Sequence, residues 1–139
     1  MEELVNISKR QFDLSFGMLE NLILQSPDDI WNLKKGGFVY WQQLFHALAG
    51  VNFWMRGDNA PFREPFAELN LYPELEHEPE NHLSRQQLAE YAGQVKRIAQ
   101  AFFENGTDAW LLAPSVVYNK RTNQEVILGQ VRHLQHHVG

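Results

Sequence analysis

The chain has 139 residues, of which 44% are hydrophobic and 21% charged, and this is typical of one globular domain (1–139) with a sizeable core. Its net charge of −5 and its lack of any basic run argue against nucleic-acid binding, and it has no cysteine. No signal peptide is expected because acidic residues follow Met1, and no apolar run approaches the ~20 residues that span a bilayer. These properties predict a soluble, cytoplasmic domain with no nucleic-acid or membrane partner.

Two helices are predicted in the first part of the chain. Apolar residues recur at helical spacing over 3–25, and Ser26-Pro27 ends this first helix. A break at 34–37, which contains two glycines, precedes a second predicted helix over 38–55. This second helix carries His46 within an apolar stripe. The apolar residues of the first helix fall into two helically spaced sets: Leu4, Ile7, Leu14, Met18 and Leu22 in one, and Phe12, Leu19 and Ile23 in the other.

The segment 57–83 is predicted to be a long crossover with at most one helical turn. It contains four prolines and many acidic residues, both of which disfavour a continuous helix. A connection of this length is often functional in a compact domain. We expect it to pack on the core through Phe62, Phe66, Leu69 and Tyr72.

Two capping boxes mark the start of the remaining helices. Ser84 with Gln87 predicts the start of a third helix, and Thr122 with Glu125 predicts the start of a fourth. Asn105-Gly106 is expected to end the third helix. Four helices with one long connection predict an all-α fold, specifically a four-helix bundle with a crossover between helices two and three.

The last helix carries the most informative pattern. Val126, Gln130, His133 and His137 are spaced by four, three and four residues, so they share a face that should point into the bundle. Burying neutral polar groups without partners costs about 1–3 kcal/mol each, and a metal ion would satisfy several of them at once. Two histidines at i and i+4 supply only part of a metal site, and His46 is the obvious third ligand. The predicted metal ligands are therefore His46, His133 and His137.

Several alternatives stay open for the histidines. His136 lies about 100° from His137 around the helix, so it should flank the site or face solvent. His77 and His82 lie in the acidic crossover, for which the two interpretations are a weak second cation site and, more commonly for such a run, a solvated loop. The simplest alternative is that all of these histidines only form hydrogen bonds. Other chemistries have no support, because the sequence has no phosphate-binding glycine loop, nucleophile elbow or His-Glu-x-x-His motif.

Two segments resemble motifs of the DinB (DinB/YfiT-like) superfamily. Residues 38–46, with the pattern Phe-x-x-Trp-x-x-Leu-Phe-His, resemble the part of its second helix that supplies the first metal ligand. Residues 129–139 resemble its C-terminal metal motif. The resemblance implies a four-helix bundle in which His46, His133 and His137 hold a divalent ion, commonly nickel or zinc, with positions left open to water or substrate.

The resemblance also implies a class of activity. Characterised relatives include transferases and isomerases that use low-molecular-weight thiols, so we expect a metal-dependent enzyme such as a thiol S-transferase with a small-molecule substrate. The alternative is a non-catalytic metal- or small-ligand-binding protein of stress physiology. Gln42, Gln43 and Gln130 are expected to orient the imidazoles. The many aromatic residues in a small bundle are compatible with a homodimer.

Overall fold

The structure is a computed structural model that describes residues 2–76, 78–104 and 106–139. This part of the chain is mostly helical, which confirms the predicted all-α class. Its α-helices are α1 (Glu3–Gln25), α2 (Asp28–Trp31), α3 (Tyr40–Met55), α4 (Arg85–Phe103), α5 (Asp108–Leu111) and α6 (Asn123–Val138). None of the helices in the described ranges is both long enough and apolar enough to cross a membrane.

Both predicted capping boxes are confirmed. Ser84 Oγ accepts a hydrogen bond from the Gln87 amide at 3.1 Å, and the Ser84 amide donates to Gln87 Oε1 at 2.8 Å. Thr122 Oγ1 and the side chain of Glu125 make the same reciprocal pair at 3.1 and 3.0 Å. These bonds satisfy amide groups that have no partner within the helix, so α4 and α6 begin where the sequence predicts.

The four long helices pack in pairs around one core. Helix α1 contacts α4 and α6, and α3 contacts the same two helices from the other side. Large side chains from α1, α3 and α4 fill the centre, and burying each of them contributes about 1.5–3 kcal/mol. The largest fully buried rings are Phe12, Phe16, Phe45 and Phe103. The α3–α6 contact brings the histidine-bearing parts of the chain together.

Only one of the two apolar sets on α1 faces the core. Phe12, Leu19 and Ile23 are buried, together with Val5 and Phe16. The members of the other set are between 40% and 65% exposed, apart from Leu22, which packs against the core. The apolar spacing therefore predicted the helix correctly but did not distinguish its buried side. The exposed members are Leu4, Ile7, Leu14 and Met18.

A small hairpin replaces the predicted break before the second helix. Strand β1 (Lys34–Lys35) pairs antiparallel with β2 (Phe38–Val39). The two turn residues, Gly36 and Gly37, have φ angles of 74° and 95°, which glycine adopts without steric cost. The helix consequently starts at Tyr40, two residues later than predicted.

Hydrogen bonds from side chains of the helices to backbone carbonyls attach the segment 57–83 to the core, in addition to the predicted apolar contacts. Its described residues contain one 3₁₀ turn, Ala67–Leu69, in agreement with the single turn that was predicted. The Trp31 indole donates to the Leu83 carbonyl at 2.8 Å, and the Gln42 amide donates to the Glu74 carbonyl at 3.1 Å. Its most buried side chains are Leu71 and Leu83, whereas Phe62, Phe66 and Leu69 are half-buried and Tyr72 is 39% exposed.

Candidate metal centre

Three histidine side chains from two helices converge at one point. His46 comes from the middle of α3, and His133 and His137 come from the end of α6. His133 Nε2 lies 3.0 Å from His46 Nε2 and 3.2 Å from His137 Nε2. In the described ranges, these three residues are the only group of three or more His, Cys, Asp or Glu side chains that can hold a metal ion. The structure thus brings together the three residues that the sequence singled out.

Burial keeps two of the three rings neutral. Desolvation, followed by the nearby charges of His46 and His136, lowers the pKa of His133 to about 4. Desolvation, followed by the neighbouring imidazoles, also lowers the pKa of His137 to about 4. At neutral pH both rings therefore carry a free nitrogen lone pair, which is the form that binds a metal.

A backbone carbonyl on the side of the ring away from the other two histidines fixes the tautomer of His46. Its Nδ1 lies 2.9 Å from the Pro73 carbonyl oxygen, which can only accept, so Nδ1 carries the proton and donates it. In a neutral ring this leaves the lone pair on Nε2, which faces the other two histidines. Gln42 lies one helical turn before His46 on α3. Its side-chain amide donates a hydrogen bond to the carbonyl of Glu74, the residue after Pro73. Gln42 therefore acts by fixing the segment that holds His46.

Hydrogen bonding alone does not satisfy the three rings. His133 Nε2 takes part in both short contacts, so one proton on that atom would have to serve both neighbours. A shared ion would instead accept a lone pair from each ring. With metal–nitrogen bonds of about 2.0–2.1 Å, neighbouring ligand nitrogens lie about 3.0–3.4 Å apart, which agrees with the two short separations of 3.0 and 3.2 Å, and all three ligand atoms lie within 4.8 Å of one another. The residues present therefore fit a metal ion.

Gly50 has no side chain, and this leaves room for the His133 ring against α3. A Cβ at this position would lie 3.1 Å from two atoms of the His133 ring and 3.4 Å from Gln130 Oε1. The ring thus packs directly on the α3 backbone. Gln130 Oε1 and His133 Nδ1 are both buried and have no hydrogen-bond partner. Gln130 is therefore next to the ring that it was predicted to orient, although no hydrogen bond joins them, and none joins Gln43 to the three rings in the described structure.

Sequence reasoning missed Gly50. Its one local signal is a lone glycine inside a helical pattern, which often marks a close approach of another group.

A cavity of about 270 Å³ opens beside the triad. Helix α3 forms one wall, with Phe53 and Trp54, and the segment 57–83 forms another, with Glu64 and Glu74. His46 belongs both to this wall and to the triad. A small molecule in the cavity would therefore lie next to the candidate metal centre.

The other histidines lie outside the triad. His136 is exposed, with its ring 4.9 Å from that of His137, so it flanks the site as predicted. His82 is exposed and meets the edge of Trp41, with 6.1 Å between ring centroids. His77, the other histidine of the predicted weaker site, lies outside the described residues.

Comparisons of the chain with protein-family models, curated proteins and solved structures found no match. Function is therefore inferred from the chemistry of this site and from the sequence resemblance.

Proposed function

We propose that the protein is a divalent-metal-dependent enzyme that binds its ion through His46, His133 and His137. The observation that carries this proposal is the convergence of three Nε2 atoms beside an open cavity. Three imidazoles leave coordination positions free, and this is the ligand set of catalytic rather than structural sites. Nickel and zinc are the proposed metals, since both suit imidazole ligands.

We further propose a DinB-like four-helix bundle with the segment 57–83 as its crossover. Two features support this assignment. The first ligand lies on the second long helix and the other two lie four residues apart on the last one. The long helices also pack as two pairs around a common core. Both features are those that the resemblance implies.

The reaction that we propose is S-transfer from or to a low-molecular-weight thiol. A bound divalent ion would lower the pKa of a thiol ligand and so favour its thiolate. The sulfur would then form a bond to an electrophilic carbon of the second substrate, whose leaving group departs with the bonding electrons, while the thiol proton passes to solvent. The chain contributes the positions of the three rings, through Pro73 and Gly50, and a partly apolar cavity that holds the thiol near them.

Metal content of untagged protein, measured by ICP-MS for wild type beside His46→Ala, tests the first step. We expect about one divalent ion per chain in wild type and none in the variant. No metal in either protein, even after incubation with zinc or nickel, would refute the proposal and leave histidines that only form hydrogen bonds.

Addition of small thiols to cobalt-loaded protein tests the second step. A thiolate-to-cobalt absorption band is expected if a position is open to substrate. A filled site whose spectrum no thiol changes would favour the non-catalytic metal-binding alternative.

A further inference from the structure

The cavity wall formed by the segment 57–83 contains two glutamates, each with one carboxylate oxygen that lacks a hydrogen-bond partner. One oxygen, Oε2, of Glu64 and of Glu74 is buried and accepts no hydrogen bond. A buried carboxylate without a partner is costly unless a cation or a donor reaches it. Burial of Glu64 and the nearby charge of Glu74 both raise the pKa of Glu64. A cation with N–H donors against this wall would satisfy both oxygens at once.

The remaining lining of the cavity suits an organic cation. Phe53 meets the edge of Trp54 and of Phe62, with ring centroids 5.4 and 5.3 Å apart, so three aromatic rings lie together here. All three rings line the cavity. Aromatic faces attract ammonium groups, and the attraction is stronger where water is excluded. Guanidinium groups of the chain already lie against these rings, with Arg121 at 5.1 Å from the Trp54 centroid and Arg56 near the other two, so the rings accept cations in this structure. Carboxylates and aromatic rings together therefore favour an alkylammonium group over an anion or a neutral alcohol.

The protein's own Arg56 does not neutralise this wall. Its guanidinium carbon lies 4.5 Å from the centroid of Phe53 and 5.2 Å from that of Phe62. Within the described structure it forms no ion pair with Glu64 or Glu74, and it does not line the cavity. Its Nε and Nη1 are nevertheless buried without partners, so a turn of this side chain towards Glu64 is the rival explanation and needs its own test.

We propose that this cavity binds the ammonium group of a small-molecule substrate between Glu64 and Glu74, beside the histidine triad. The inference rests on the proposed function and narrows it: the preferred thiol carries an amino group a few carbon atoms from its sulfur. The cavity volume of about 270 Å³ limits the bound part to a small fragment. Thiols with a carboxylate in place of the ammonium group would be repelled by the same two glutamates.

Matched thiols on cobalt-loaded protein test this inference. Cysteamine and 2-mercaptoethanol have the same two-carbon chain and differ in an ammonium against a hydroxyl group, and mercaptoacetate supplies the anion. Dissociation constants come from the thiolate-to-cobalt absorption band. We expect cysteamine to bind at least tenfold more tightly than 2-mercaptoethanol, and mercaptoacetate to bind most weakly.

The glutamate variants provide the deciding comparison. An ammonium group also lowers the pKa of the thiol in the same molecule, and this favours cysteamine in every variant alike. The quantity to compare between variants is therefore the ratio of the cysteamine affinity to the 2-mercaptoethanol affinity. Glu64→Gln and Glu74→Gln should each lower that ratio several-fold, and the double variant should bring it to the value set by thiol acidity alone. Glu68→Gln, at an exposed position on the same segment, is the matched control and should leave the ratio unchanged. An unchanged ratio in the double variant would overturn the inference.

A metal-free arm separates this inference from the proposed function. Propylammonium should change the tryptophan fluorescence of wild type through Trp54, 1-propanol should not, and the signal should disappear in Trp54→Phe. If cobalt or thiols fail to bind while propylammonium still does, the proposed function fails and the cation site stands. If propylammonium binds only after Arg56→Met, Arg56 is the natural partner of the glutamates and the inference is wrong.

Discussion

Helix α3 has two interfaces of opposite character. Towards α4, Phe45 is fully buried and meets the Tyr91 ring with 6.1 Å between centroids, and Asn52 donates a hydrogen bond to the Tyr91 hydroxyl at 3.1 Å. Towards α6, Gly50 contacts the His133 ring, and His46 lies 3.0 Å from it. The first interface is apolar with its polar groups paired, whereas the second is built from imidazoles.

The difference separates what stabilises the fold from what prepares the site. The α4 side gains free energy from apolar burial whether or not any ligand is present. The α6 side leaves Gln130 Oε1 and His133 Nδ1 buried without partners, and each such atom costs about 1–3 kcal/mol. Such a cost is common where a site is held ready for a ligand. Substitutions on the α4 side should therefore lower the free energy of unfolding, whereas substitutions on the α6 side should lower the metal affinity.

His133→Ala should have the largest effect on the α6 side. It removes the ring that contacts both other histidines, so stoichiometric binding of zinc or nickel should be abolished. Isothermal titration calorimetry measures this directly. His136→Ala, at the exposed neighbouring position, should retain one ion per chain, as should His77→Ala. Equal losses in His133→Ala and His136→Ala would sink the ligand assignment.

Phe45→Ala should have the largest effect on the α4 side. Removal of a fully buried ring leaves a cavity and should lower the free energy of unfolding by about 3–5 kcal/mol. Urea unfolding of metal-free protein measures the loss. Metal stoichiometry at low temperature should stay at one per chain. A variant that loses its metal along with its stability, although it is still folded at low temperature, would show that the two interfaces cannot be separated.

Gly50→Ala should weaken metal binding while sparing the fold. The added methyl group would lie 3.1 Å from the His133 ring and displace it slightly, and we expect about tenfold lower affinity, the scale of outer-shell changes. Gly17→Ala is the control, since a Cβ there meets nothing within 4 Å. It should leave the affinity unchanged and raise stability by up to about 1 kcal/mol. Similar affinities in the two variants would mean that Gly50 does not position His133.

The features that the sequence predicted correctly are those encoded locally. The capping residues Ser84 and Thr122 act on amides three residues away, so their patterns predict the helix starts directly. The spacing of His133 and His137 likewise determines their common face through helix geometry alone. His46 entered the triad because it lies on an apolar helix and in a recognisable segment, and the structure brings it to the other two rings.

The features that the sequence did not predict depend on contacts between distant parts of the chain. Leu4 and Leu19 have similar apolar character, yet one is exposed and the other buried because α1 packs through one face only. Gly50 matters because α6 passes close to it. Glu74 becomes part of the cavity wall because Gln42 binds its carbonyl and His46 binds the carbonyl of Pro73, the residue before it. No local pattern contains that information.

The last prediction is a pH dependence of the metal-free protein that arises from the histidines on the α6 side. His133 and His137 have folded-state pKa values lowered to about 4, against 6.5 for an ordinary histidine, so between these values the unfolded chain binds more protons. Stability should therefore be fully present above pH 6.5 and fall as the pH drops towards 4. Because solvent screens both partly exposed rings, the fall should be well below the limit of about 1.4 kcal/mol per pH unit for each ring. Urea unfolding at pH 7.0, 6.0 and 5.0 measures the slope.

The double variant His133→Gln/His137→Gln identifies the source of that slope. It keeps polar side chains at both positions but removes the titrating groups, so its stability should fall less steeply over the same range. Phe45→Ala should lower stability equally at each pH, because a lost apolar ring changes no proton binding. Parallel slopes in wild type and the double variant would mean that the imidazoles are well solvated without metal. The triad would then assemble only around the ion, and metal binding itself, rather than packing, would join α3 to α6.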